Sequence, residues 1–426
     1  MIYPPPLLTR ALLLATALGT FVACEKTPSP NPGNPSTGGT SGTGGKSGTG
    51  GKSGSGSGGN NSGGSAGNAS GGAGGNSGGT GGTSNADAGP DSATDGGGDG
   101  GAVMALVDNP MGPLPMDLKD TGVFTNFPDT TQVSGKAFYF EPRFPLYSNG
   151  LSKHRVMVLP QGKTVDTSKR DDWQFPVGTL FFKTFYDQTN TKRPIETRLI
   201  RRIADTGPRK MQWEFNVYEW SEDGKKATLA NIREAKDRMV SIGGDTITHS
   251  IPSRINCQEC HLANFTPVIG FDELRLNGPL PGQTKTQLED VASKNLLSAP
   301  PTAPFASITA ADDKTKWVLE YMHANCGHCH NGGMTEESIT RVFDLRATKF
   351  LASTINQKTE GRTKSGIRIV PGKPDMSILF EAFAREISDP ELNRMPRVGV
   401  NVADKDAVAK LRDWIMSLPP NFVAPQ

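Results

Sequence analysis

The chain has few of the residues that most often carry chemistry. Of its 426 residues, five are cysteine and six are histidine. Charge of one sign is also scarce: 45 basic against 43 acidic side chains leaves a formal net charge of +2. A balance this even gives no electrostatic footprint for nucleic acid and no polybasic surface for an anionic membrane. No apolar run reaches the ~18 residues that a membrane-spanning helix needs. Glycine alone is plentiful, at 51 residues, and most of it falls before residue 102. The first quarter of the chain therefore cannot form a packed core, and residues beyond 101 must hold the function.

The N-terminus reads as an export address. Arg10 supplies the positive region and Ala11 to Ala23 a short apolar core, too short to span a bilayer. Phe21-Val22-Ala23-Cys24 comes next. Small residues before a cysteine at this point resemble the lipobox of bacterial lipoproteins, although Leu is usual at the Phe21 position. That resemblance implies a signal peptide at 1–23 and acylation of Cys24. Glu25, not being Asp, implies sorting to the outer membrane. Within 24–101, residues 27–101 are Gly, Ser, Thr and Asn with little else, and Ser41 to Lys46 repeats as Ser47 to Lys52. Such a segment reads as a disordered Gly/Ser-rich tether with an end-to-end distance of roughly 45–50 Å.

The texture changes near Gly122. Val133–Phe140, Arg155–Leu159, Thr179–Tyr186, Ile195–Ile203 and Met211–Trp220 are short runs rich in β-branched and aromatic residues. Their spacing predicts a β-rich, sandwich-like domain over 102–250. The blocks Pro145 to Gly150, Phe175 to Lys183 and Pro194 to Arg198 resemble a β module that precedes haem motifs in some exported bacterial proteins. Lys153, His154 and Lys183 are candidates to line a site there, or else to decorate a solvated strand edge.

Four of the five cysteines fall in two matching frames. One is Cys257-Gln258-Glu259-Cys260-His261, the other Cys326-Gly327-His328-Cys329-His330. Each is C-x-x-C-H, the attachment pattern of haem c. Two thiols three positions apart reach the two vinyl groups of one porphyrin, and the next residue offers an imidazole to the iron. Zinc sites, dithiol redox motifs and disulfides also use paired cysteines. None requires His after both pairs, and chance supplies that twice at roughly 2 × 10⁻⁴. His328, between the cysteines of the second frame, reads as exposed.

The second frame has the fuller context. Ala311–Asn325 reads as a helix leading into it, with Trp317, Leu319, Tyr321 and Met322 on apolar faces. A less regular region leads on, through Ile369 to Pro374, to Arg394-Met395-Pro396. Asp404 then opens a last helix with Val408, Leu411, Trp414 and Ile415 on one face. The first frame is followed by a helical piece at Lys285–Leu297. No Met or His lies between His261 and Ala311, so a second ligand would come from Met211, Met239, His249, Met322 or His323, or the iron would stay open.

Helix, C-x-x-C-H, loop, Met-Pro and helix form the layout of a class I cytochrome c. Residues 257–426 resemble a dihaem c-type cytochrome, carried mainly by Tyr321 to His330 and by Met395-Pro396 through Trp414. The resemblance implies a first haem segment at 251–304 and a mainly α cytochrome c domain at 305–426. It implies two covalently bound haem c on Cys257, Cys260, Cys326 and Cys329, with His261, His330 and Met395 as iron ligands. The expected function is single-electron transfer between periplasmic or membrane redox proteins by an exported, lipid-anchored protein that does not bind nucleic acid. Alternatives are a haem enzyme of peroxidase-like or oxidative type with an open first iron, and a surface binding module with a haem outlet.

Overall fold

The structure, a computed structural model, describes residues 104–425 except 190–191, 265, 336–342, 361–363, 387 and 389. The signal sequence, Cys24 and the Gly/Ser tether lie outside the described residues. No helix among those described is long and apolar enough to cross a membrane.

A β-rich half is followed by a helical one. The small hairpin β1 (Phe124–Asn126) and β2 (Asp129–Val133) comes first. Six strands then form one antiparallel sheet in chain order: β3 (Ala137–Tyr139), β4 (Ser152–Val158), β5 (Leu180–Tyr186), β6 (Pro194–Arg202), β7 (Trp213–Trp220) and β8 (Ala227–Leu229). Between β6 and β7 a helical turn, α1 (Arg209–Gln212), replaces the expected start of the strand at Met211. A separate hairpin comes after the sheet, β9 (Lys236–Ile242) with β10 (Asp245–Ile251).

The sheet is a meander, and the expected sandwich is corrected accordingly. Among the described residues there is no second large sheet. Val156, Phe182, Leu199 and Tyr218 point to one face, where Leu106, Leu118, Val123 and Phe124 cover them. Met157, Phe181 and Phe215 point to the other, and here helices and loops take the place of a sheet. Both faces of the central strands are thus buried.

Helices begin at α2 (Arg254–His261), whose start is fixed by a capping box. Ser253 Oγ accepts from Asn256 N, and Asn256 reaches back to the Ser253 amide. α3 (Glu273–Leu276) and α4 (Gln287–Ser293) complete the layer over the sheet. At its centre sits Phe271, with Phe138, Phe140, Trp173, Phe175 and Phe181 arranged edge-on around it at 4.9–6.2 Å between ring centroids. A bidentate pair from Arg170 to the buried Glu273, at 2.6 Å on each arm, pins the strand-side loop to α3.

A second core is built by α5 (Asp313–Asn325), α6 (Phe350–Thr354), α7 (Ile378–Ala384) and α8 (Lys405–Ser417). Asp312 caps α5 through Thr315 N, and Asp404 caps α8 through Ala407 N. The face expected on the last helix is the one buried: Leu411, Trp414 and Ile415 are almost inaccessible. Across the interface Trp414 Nε1 donates to Thr315 Oγ1 at 3.1 Å and Tyr321 donates to Asp404 at 3.1 Å.

Because Phe271 touches five other rings, removing it leaves a cavity that its rigid neighbours cannot fill. Phe271→Ala is expected to cost about 3–5 kcal/mol of stability, read as a lower urea midpoint. A change below about 1 kcal/mol would show that the aromatic cluster does not hold α2 and α3 to the sheet.

Candidate functional site

One cavity collects the chemistry of the chain. Cys257, Cys260 and His261 line it, as do Cys326, Cys329 and His330, and so does Met395. The four cysteines expected to attach haem and the three expected iron ligands therefore face the same space. The empty volume, counted out to the open mouth, is about 1540 Å³.

The first motif lies on a helix. Cys257, Cys260 and His261 fall at positions i, i+3 and i+4 of α2 and share a face. Cys257 belongs to the core against the sheet, and burial pushes its thiol up to about 11. The ring of His261 lies 5.5 Å from that of Phe215. His261 Nδ1 is 2.5 Å from the Pro267 carbonyl. That carbonyl can only accept, so the hydrogen sits on Nδ1 and the Nε2 lone pair is free. Loss of solvent lowers the His261 pKa to about 4, so the ring is neutral at pH 7.

The second motif sits in a turn directly after α5. Gly327 N and Cys326 N both donate to Met322 O, and His330 N donates to Cys326 O. The chain passes so close to itself that a Cβ on Gly327 would lie 2.9 Å from the His323 carbonyl. His330 stacks on Phe343 at 4.6 Å and is likewise held near pH 4 by burial. Met395 packs against Ile378, Ala382 and Leu392, with its amide donating to Ala382 O at 2.8 Å.

The two motifs are tied to each other. Asn331, the residue after His330, donates to Ala263 O at 2.6 Å, and Thr335 donates to the same carbonyl at 3.2 Å. Cys260, His328 and Cys329 consequently bring three donor atoms within 4.8 Å of one another. A hydrogen bond from Cys329 lowers the Cys260 pKa, while Cys329 itself is pushed up, so the pair favours one thiolate. His328 is buried, at 6 % exposure, where the sequence led to an exposed side chain. The docking of one motif against the other covers it.

The loop carrying Met395 is held by a relay from the sheet. Asn149 Oδ1 accepts from Asn401 N at 2.6 Å and Val402 N at 3.1 Å. Its amide meets His249 Nδ1 at 3.2 Å, His249 Nε2 meets Glu196 at 3.0 Å, and Glu196 accepts from Arg198. Burial opposes charge on Glu196, but Arg198 and His249 outweigh it and hold the carboxyl near pH 2. The segment that carries Asn149 also reaches the second motif, since Tyr147 N donates to Asn325 Oδ1 at 2.6 Å. The Pro145 to Gly150 block is thus a bracket for both halves of the site.

The other candidates separate. Met211 and Met239 are exposed and do not line the cavity. Both ring nitrogens of His249 are engaged. Met322 is buried in the helical core, 3.7 Å from Cys326 Sγ. Lys153 Nζ donates to Leu146 O, and His154 stacks on Tyr139 at 4.5 Å on the opposite sheet face. Lys183 does line the cavity, from a central strand and not an edge. Arg155 and Arg198 join it there and were not singled out from the sequence. Their only signal was a cation at matching register in consecutive strands. No family model, curated protein or solved structure matches the chain.

Asn149→Ala removes the acceptor for two loop amides and should cost about 1–3 kcal/mol, with the segment around Met395 gaining amide hydrogen exchange. Unchanged exchange there would show that Asn149 does not hold the loop. His154 and His323 are held below their usual value, near 4 and near 3, mainly by burial. The unfolded chain takes up those protons first. Stability is then present above pH ~6.5 and falls towards pH 4, by at most about 1.4 kcal/mol per pH unit for each ring. His154→Gln should flatten that slope in urea titrations across the range, and an identical slope would contradict the assignment.

Proposed function

We propose that this chain is a lipid-anchored dihaem c-type cytochrome that passes single electrons between redox partners in the cell envelope. One observation carries the reading: both C-x-x-C-H motifs and Met395 line a single cavity. Haem c bound at each motif would supply a one-electron iron couple.

The chain's own groups suit that cofactor. Cys257 and Cys260 share a helix face and would hold the first group, with Cys326 and Cys329 holding the second. His261 has its Nδ1 hydrogen committed to the Pro267 carbonyl, the arrangement by which a metal-ligating histidine is usually oriented. Phe181 and Phe215 line the cavity and keep water from its inner wall. Met395 would complete the second site and raise its potential. The packing of α8 against α5, with the motif between α5 and the Met395 loop, supports a class I cytochrome module over 305–426. Cys24 would be the acylated anchor, placing the protein at the outer membrane. Redox proteins of the periplasm or membrane would be its partners.

A second reading rests on the triad Cys260, His328 and Cys329. Thiolate and imidazole donors this close suit a zinc ion with one open position. A haem enzyme with an open first iron is the third, supported by Met211, Met239 and His249 not offering a ligand into the cavity.

The full chain, made in cells with haem c maturation machinery, should yield two covalent haems by pyridine haemochrome assay. Cys257→Ser and Cys326→Ser should each weaken attachment at one site. Met395→His should lower one midpoint potential and leave the other unchanged. Zinc at one per chain with no haem would establish the metal reading instead. A high-spin band in the oxidised spectrum would favour the open-iron enzyme.

A further inference from the structure

Cations occupy one register across three neighbouring strands. Arg155 of β4 lies opposite Lys183 of β5, and Lys183 lies opposite Arg198 of β6. Side chains alternate along a strand, so the three share the sheet face that carries Met157, Phe181 and Phe215. All three line the cavity. Like charges directly opposite in a sheet repel, and these sit in an interior where an unpaired charge is costly.

Only one of them has a direct ion pair. Arg198 binds Glu196, with Nε–Oε1 at 3.0 Å. Arg155 is buried, at 5 % exposure, yet among the described residues its guanidinium has no hydrogen bond or ion pair. The nearby carboxylate of Glu141 accepts instead from the Tyr139 hydroxyl. Lys183 has no hydrogen bond or ion pair among the described residues either. Its ammonium lies 4.9 Å from the centre of the Phe185 ring, which Arg198 also covers at 4.4 Å. Arg155 and Lys183 therefore lack a direct partner on this wall, with Glu141 acting on the one and Glu196 on the other only at longer range, and both look into the space where the first motif sits.

We propose that Arg155 and Lys183 form a carboxylate clamp for the propionate groups of the haem attached at Cys257 and Cys260, with Arg198 closing the row. This rests on the dihaem reading and adds a role for the β half of the chain. Two carboxylates would give Arg155 and Lys183 the direct partners they lack. Guanidinium offers a planar, two-pronged fit to one, and the ammonium a point charge to the other. Lys183, Arg198 and His261 all line the cavity, so the row and the first motif share one neighbourhood. The clamp would fix the plane of the haem from the sheet side, while α2 fixes its edge.

The test is spectroelectrochemical titration of the full-length, haem-loaded protein. Arg155→Met and Lys183→Met should each favour the ferric form of one haem about tenfold at fixed potential, a fall of about 59 mV for one electron. The other haem should not move. Lys183→Arg should restore the wild-type value. Lys226→Met, which removes an exposed cation that pairs with Asp117 and does not line the cavity, should leave both potentials alone. Removing a charge from a repelling row does not endanger folding, and retained haem content in each variant will show this.

Unaltered potentials with both haems present would overturn the clamp. So would a change of axial-ligand spectrum in Lys183→Met alone, since Lys183 would then be an iron ligand. A wild-type potential that moved with added acetate or phosphate at constant ionic strength would assign the row to a diffusible anion and also reject it. A wild-type protein without haem would defeat the underlying reading separately, before any variant is compared.

Discussion

An eight-residue helix cannot sustain itself in water, and the site depends on how this one is held. α2 carries Cys257, Cys260 and His261, yet it buries only one of its residues, Cys257. Its stability comes from the face of a sheet whose strands lie earlier in the chain. Phe181, Phe215 and the Phe271 cluster give it a rigid apolar bed, and Ser253 fixes where it starts. The first motif has no domain of its own. It borrows the core of the β half, and for that reason its cysteines look across at the charged row of β4, β5 and β6.

The second motif is different in kind. It grows out of α5, which has its own core with α8, and its geometry is set by a close backbone approach at Gly327. The two constructions meet through few but directional contacts. Asn331 and Thr335 bond to the backbone just after His261, and Asn149 bonds to the loop just after Met395. Hydrogen bonds of this sort contribute modestly to stability but fix relative position, which apolar packing alone does less well. The result is a single shared cavity in place of two separate sites.

Under the proposed dihaem reading, that arrangement would bear on electron flow. Cys260 and Cys329 are neighbours, so groups attached to the two motifs would adjoin at their cysteine-bearing edges. Transfer between them would need no large motion. The β half would then be a wall that shields and charges the site, through Lys183, which the sequence offered as a lining residue, and through Arg155 and Arg198, which it did not.

The local patterns were legible in the sequence. Five strands of the sheet, the helices at 313–325 and 405–417, and both C-x-x-C-H frames come from alternation, capping residues and spacing, because these depend on neighbours within a few positions. The hairpin at 236–251 was not legible, since its exposed strands carry charged and polar residues with little apolar alternation. The burial of His328, the fate of Met211 and Met239, and the alignment of Arg155 with Lys183 and Arg198 depend on register and docking. Register is a property of paired strands, and docking a property of distant side chains such as Asn149 and Asn401. Which residues could carry chemistry is written in the order of the chain, in two short cysteine frames and a Met-Pro. That they share one cavity is a product of folding, because contacts across hundreds of residues leave no periodic trace along the chain.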